Sequence, residues 1–206
     1  PVSQVYAPKG FDTNDDTQVV VSGYLPNLCY KAPRTEVSVE GRKISITVTV
    51  LVEDRVMFCP QVIVPFLETV SVGLLEKGPY QIVVNAAASA ETTAEISIGE
   101  PKSESVDNYV YANLNYVEKA EKPRAIVLKG ENPSDCFEFD RVEFISNGKD
   151  VYSVLPIMKQ VKQDCPMRLV PFSIETQVPE GLAAKELLLH VRGMDGRSVN
   201  SLFDNR

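Results

Sequence analysis

The chain offers few groups suited to chemistry. General acid–base work near neutral pH most often uses histidine, and the only one is His190. Alternation in Leu187-Leu188-Leu189-His190-Val191 puts Leu187, Leu189 and Val191 on the buried face, so His190 is expected to point to solvent. That weakens serine–histidine and cysteine–histidine mechanisms together. Glu68 and Glu175 hold matched places in the chain, but glycoside chemistry needs two carboxylates in one cleft, roughly 5–10 Å apart. Asp12, Asn14 and Asp16 have D-x-N-x-D spacing, which can turn a loop so that three hard oxygens face one Ca²⁺. A solvated acidic turn is the plainer reading of those residues. No G-x-G-x-x-G or G-x-x-x-x-G-K phosphate loop occurs.

Tyr24 and Tyr30 flank Cys29, and Tyr6 is expected near them, so a tyrosine-bearing loop end is the candidate recognition surface. Lys31-Ala32-Pro33-Arg34 follows Cys29 and offers an alternative, a disulfide-tied loop presented to a protease as an inhibitor.

What must position these residues is a chain written twice. Gly23-Tyr24-Leu25-Pro26-Asn27-Leu28-Cys29 and Gly130-Glu131-Asn132-Pro133-Ser134-Asp135-Cys136 share G-x-x-P-x-x-C. Cys59-Pro60-Gln61-Val62-Ile63-Val64-Pro65-Phe66 and Cys165-Pro166-Met167-Arg168-Leu169-Val170-Pro171-Phe172 share C-P-x-x-x-V-P-F. Gly41 matches Gly148, and Tyr80-Gln81-Ile82-Val83-Val84-Asn85 matches Leu187-Leu188-Leu189-His190-Val191-Arg192. Such an ordered series implies two homologous units, 1–100 and 105–206, joined by a polar linker at 100–105.

Each unit reads as β. Ile44, Ile46, Val48 and Val50 share one face of a strand, Val37 and Val39 alternate before it, and Gly41 turns the hairpin between them. Further strands are expected at 18–22, 62–72, 80–85 and 93–98, and in the second half at 124–129, 141–146, 151–158, 168–178, 186–192 and 198–203. Six or seven short strands per hundred residues is the pattern of a sandwich.

The four cysteines, two per unit, pair most simply as Cys29–Cys59 and Cys136–Cys165, which treats both copies alike. Cross-pairing between the units, four buried thiols or a zinc site remain the alternatives, although no close C-x-x-C pair is present. Persistent disulfides belong to oxidising compartments, so the protein is expected to be secreted or periplasmic, with its signal peptide removed before Pro1. No apolar run spans a bilayer; the longest, residues 46–52, is strand-sized. The net charge of −7 argues against nucleic acid as a partner.

At the level of architecture these motifs and the two-unit pattern resemble the tandem immunoglobulin-like or fibronectin-III-like sandwiches of exported bacterial proteins. The resemblance implies an all-β fold of two such domains with one disulfide each, and an extracytoplasmic home. It transfers no site. The expected function is a non-enzymatic module contacting a protein or cell-envelope partner, without a cofactor; a carboxylate-based hydrolase is the remaining alternative.

Overall fold

The computed structural model describes residues 1–53, 58–85 and 91–206. The chain divides into two compact units. Unit 1 comprises Pro1–Ala7 and Phe11–Glu100; unit 2 comprises Pro8–Gly10 and Pro101–Arg206. Both are built of strands, and among the described residues the one short 3₁₀ turn is Met194–Gly196.

In unit 1, β1 (Val2–Tyr6), β2 (Thr17–Leu25) and β5 (Val64–Gly73) form a three-stranded sheet with β2 in the middle. The second sheet runs β3 (Tyr30–Glu40), β4 (Lys43–Val52), β6 (Gly78–Val84), β7 (Thr92–Ile98). Unit 2 begins with the two-residue strand β8 (Val110–Tyr111) and repeats the plan. Its small sheet is β9 (Leu114–Lys119), β10 (Ala125–Asn132) and β13 (Val170–Gln177), again with the second strand central. Its larger sheet runs β11 (Phe137–Ser146), β12 (Val151–Gln160), β14 (Glu186–Arg192), β15 (Ser198–Asp204), and β8 joins it by pairing with β12.

The period-two pattern is realised where it is strongest. Gly41, at φ +58°, turns β3 into β4, and Ile44 and Ile46 enter the core with Val19, Val21, Ile82 and Val84. Leu128, Val154, Leu187 and Leu189 do the same in unit 2.

One connection per unit departs from the expected immunoglobulin-like plan, whose sheets are antiparallel. Here β4 and β6 pair in parallel, as do β12 and β14. The chain leaves one sheet, runs through β5 or β13 in the other, and returns in its original direction. This is how a parallel neighbour can be reached without a helix.

The repeated glycine has a steric reason. A Cβ on Gly23 would lie 2.3 Å from the Pro1 carbonyl oxygen and 2.5 Å from the Phe66 ring. On Gly130 it would lie 2.1 Å from the Asn113 carbonyl oxygen and 2.8 Å from Phe172. Those phenylalanines end the two C-P-x-x-x-V-P-F motifs, so each unit's two motifs meet face to face. The same carbonyls accept hydrogen bonds from Tyr24 N and Glu131 N. Gly130→Ala is therefore expected to destabilise unit 2 by about 2–3 kcal/mol, as an overpacked core does. A urea denaturation midpoint unchanged from wild type would contradict this.

His190 corrects the sequence reading. The pleat is as expected, but the outward face is not solvent. His190 is 1% exposed, flanked by Ser153 on β12 and Asn200 on β15. Tyr111, Leu155 and Ile157 form a second small core on this face. Ser153 Oγ donates to the Lys9 carbonyl and Arg192 Nη1 to the Gly10 carbonyl, so the Pro8–Gly10 segment caps it. His190 Nδ1 lies 2.8 Å from Asn200 Oδ1.

Burial, helped by the charge of Arg192 and opposed by the Asn200 bond, lowers the His190 pKa to about 4. An unfolded histidine titrates near 6.5. Between those values the unfolded chain holds a proton that the folded chain does not. Stability is thus full above pH 6.5 and falls with acidification, by about 3 kcal/mol at pH 4. Urea unfolding at pH 7 and pH 4.5 is expected to show this loss in wild type and not in His190→Gln. Equal acid losses in the two proteins would contradict it.

Candidate binding surface

Both cysteine pairs are closed, Cys29–Cys59 and Cys136–Cys165, with Cα–Cα distances of 5.5 and 5.7 Å. Each staples the turn after the central strand of the small sheet to the segment that leads into its neighbour. The turn is held from within. Cys29 N donates to Asn27 Oδ1 and Cys136 N to Ser134 Oγ, the short polar residue two places before each cysteine. The Cys29 carbonyl accepts Glu53 N, and the Cys136 carbonyl accepts Val161 N. The described residues beside each staple are therefore hydrogen-bonded as well as cross-linked.

The stapled end of unit 1 is apolar on its outside. Phe58 is 73% exposed and Ile63 67%, and Leu28, Val52 and Val62 are each at least 43% exposed. Leu28 N and Val62 N both donate to the Pro60 carbonyl, Phe58 and Ile63 stand beside Cys59 and Val62 in the chain, and Val52 faces Tyr30 across the β3–β4 ladder. Monomeric surfaces seldom gather this much apolar area without a use. The stapled end of unit 2 presents fewer such groups, Met167 at 93%, Leu169 at 63% and Val161 at 40%, among Lys162, Asp135 and Arg168.

The tyrosines divide. Tyr24 is exposed at the edge of the apolar cluster and Tyr30 is half-buried beside it. Tyr6 is 1% exposed, with its Cα opposite Val20 in the middle of the sheet. It is a packing residue and not part of the surface.

The oxygens of the acidic loop are engaged by nearby donors. The Asp12 carboxylate accepts Asn14 N, Asp15 accepts Asp12 N, and Asp16 accepts Ser71 Oγ and Gly73 N. These oxygens close a turn and cap the end of β5. Among the described residues no cluster of three or more His, Cys, Asp or Glu could hold a metal ion. Asn14, the remaining expected ligand, lies within that same closed turn.

The carboxylates are likewise dispersed. Glu175 pairs with Lys122, and Glu68 belongs to the other unit. An open groove of about 600 Å³ in unit 1 holds Glu40 and Glu95. They end a row that runs Glu40–Lys43–Gln81–Glu95 over four strands. At strand spacing that separates them by roughly 14 Å, beyond hydrolase geometry.

Lys31-Ala32-Pro33-Arg34 is not a free loop. It forms a bulge in edge strand β3, where the register shifts between Lys31 and Arg34. Ala32 adopts φ +48°, which breaks the extended backbone a substrate mimic must present. Unit 2 shifts register at the matched place, between Phe139 and Arg141. Bulges of this kind blunt a sheet edge against unwanted strand pairing.

Sequence reasoning missed the apolar cluster because residues 62 and 63 read as the start of a strand. The strand begins at Val64, and the two preceding side chains are left outside it. The Pro60 just upstream was the available signal, since proline interrupts pairing.

No match was found among curated proteins or among solved structures. The family model of the ORF11 beta-sandwich domain matches residues 19–96, from within β2 to within β7, so that this part of unit 1 is similar to that β-sandwich domain.

Proposed function

We propose that this protein is an exported, non-enzymatic interaction module made of two duplicated sandwich units, and that the stapled end of unit 1 is its contact surface. The observation that carries this reading is the cluster of Leu28, Val52, Phe58, Val62 and Ile63, held out to solvent by a cross-linked turn. Preorganised apolar anchors lose little freedom on binding, which is the economical way to build affinity. The two disulfides favour an oxidising compartment. The dispersal of carboxylates and the burial of His190 favour recognition over turnover. No described helix is long and apolar enough to cross a membrane.

The test is capture from the envelope and culture fluid of the source cells. Wild type and Met167→Asp are expected to retain the same partner, and Phe58→Asp to lose it. Retention by Phe58→Asp, or catalytic turnover abolished by one polar substitution elsewhere, would overturn the reading.

A further inference from the structure

We propose that the edge of β4 beyond the end of β6, at Val48–Val50, is a strand-acceptor site that takes an extended segment of a partner polypeptide, antiparallel to β4, by main-chain hydrogen bonding. It uses backbone groups of the sheet and does not depend on the side chains of Phe58 or Ile63.

The duplication exposes the slot. Tyr30 faces Val52 and Arg34 faces Thr49, as Phe137 faces Gln160 and Arg141 faces Ile157. On the other side Ile46 faces Val84, as Val154 faces Val191. Val48, Thr49 and Val50 therefore stand where Pro156, Ile157 and Met158 stand. In both units the parallel neighbour stops short of these residues, at Ile46 and at Val154. Unit 2 fills what remains. β8 pairs antiparallel with Ile157 and Met158, and Ala112 N donates to the Pro156 carbonyl. Among the described residues of unit 1 no strand takes that place. Burial follows the same split: Val151–Met158 are buried throughout, whereas Thr47 and Thr49 are exposed and Val48 and Val50 half-buried.

The main-chain groups point the right way. The Ile46 carbonyl accepts Asn85 N, and Val48 N donates to Asn85 Oδ1. Main-chain groups alternate sides along a strand, so those of Val48 and Val50 turn to this edge and away from β3. Asn85 takes up the one N–H that Pro156 lacks. The Val48 carbonyl and both main-chain groups of Val50 remain turned to the slot, matching the set that Pro156 and Met158 turn to β8.

The edge is also unguarded. Residues 47–52 read Thr-Val-Thr-Val-Leu-Val, without charge, proline or glycine. Proteins blunt an open edge of this kind with charge, proline or a bulge. β3 carries the bulge, and β4 carries no such guard. In unit 2 the occupant is a lone two-residue strand that pairs with β12 alone, and not the edge of a second sheet, so a segment of that kind is the committed occupant here. Its chemistry is set by what it meets. Tyr111 packs on Leu155 and Ile157, where unit 1 has Thr47 and Thr49. The incoming strand is therefore short and uncharged, with a threonine-sized, β-branched side chain opposite Thr49. Its affinity comes from the ladder, as in other strand additions.

The test adds a capped peptide copying residues 108–114 with Tyr111→Thr to the ¹⁵N-labelled full chain. Saturable binding with Kd on the order of 100 μM is expected. Amide exchange is expected to slow at least ~5-fold at Val50 and to stay unchanged at Thr49, whose main-chain groups face β3. The same peptide N-methylated at the position of Ala112 cannot donate to the Val48 carbonyl and is expected to bind at least ~10-fold more weakly. Val50→Pro removes the slot's own donor and is expected to weaken binding as much; if that variant does not fold, the methylated peptide decides on unaltered protein. No binding at about 1 mM peptide, equal binding of the methylated form, or displacement of β8 in unit 2 without protection of Val50 overturns the proposal. So does a Val50 amide already slow in the free chain. Protection of Val50 that rises with protein concentration and no peptide makes a second copy the occupant, and overturns it as well.

Discussion

Arg192→Ala is expected to lower the stability of unit 2 by about 3–5 kcal/mol, the cost of breaking a buried ion pair from one side. Arg192 is 8% exposed at its side chain; its Nη2 donates to Asp107 Oδ1 at 2.7 Å, and its guanidinium carbon lies 5.2 Å from the centre of the Tyr111 ring. Its Nη1 donates to the Gly10 carbonyl. Truncation strands the Asp107 carboxylate at low exposure and removes the donor to Gly10 at once. The guanidinium fork is needed because it reaches both acceptors while stacking on Tyr111, so Arg192→Lys is expected to recover less than half of the loss. Asp107→Asn combined with Arg192→Ala is expected to cost less than the two single effects added, because no unpaired charge is left. Denaturant midpoints of the four proteins check this. A change below 1 kcal/mol in Arg192→Ala would contradict the network.

The second large effect concerns the staples. Replacing Cys136 and Cys165 together by serine is expected to cost about 3–4 kcal/mol, from the freedom regained by a loop of 29 residues in the unfolded chain. The double substitution avoids a lone thiol. Because each bridge lies within one unit, the loss is expected to be local: amide exchange of β10, β12 and β14 quickens while β2, β4 and β6 keep their protection. Cys29→Ser with Cys59→Ser is expected to give the mirror result, over a loop of 30 residues. Equal acceleration in both units after either change would show that the units do not hold themselves together separately.

Local features of this fold were legible from the chain, and non-local ones were not. The β3–β4 hairpin was readable because alternation and Gly41 act over a few residues. So was the pairing of sulfurs within each unit, since the matched spacings treat both halves alike. The parallel β4–β6 neighbour was hidden, because period two gives a strand its faces and not its partners. His190 failed for a related reason. Its face was assigned correctly, but what covers that face comes from Tyr111 and from Pro8–Gly10, far away in sequence. A hint existed in β12, where Val151 through Met158 are buried on both parities. A strand apolar on both faces is one covered on both. Tyr6 was expected near Tyr24 and Tyr30, whereas its register opposite Val20 carries it inside. Asp12, Asn14 and Asp16 have the spacing of a cation loop, but Ser71 and the amides of Asp12, Asn14 and Gly73 take up their turn's oxygens.

The account stands on two β units that are each cross-linked internally, with exposed apolar side chains beside the staple of unit 1. Non-reducing peptide mapping of the protein purified from its native source, by mass spectrometry, tests this most directly. Peptides joined only as Cys29 to Cys59 and Cys136 to Cys165 are the predicted result. Four free thiols, or bridges between the two units, would contradict it.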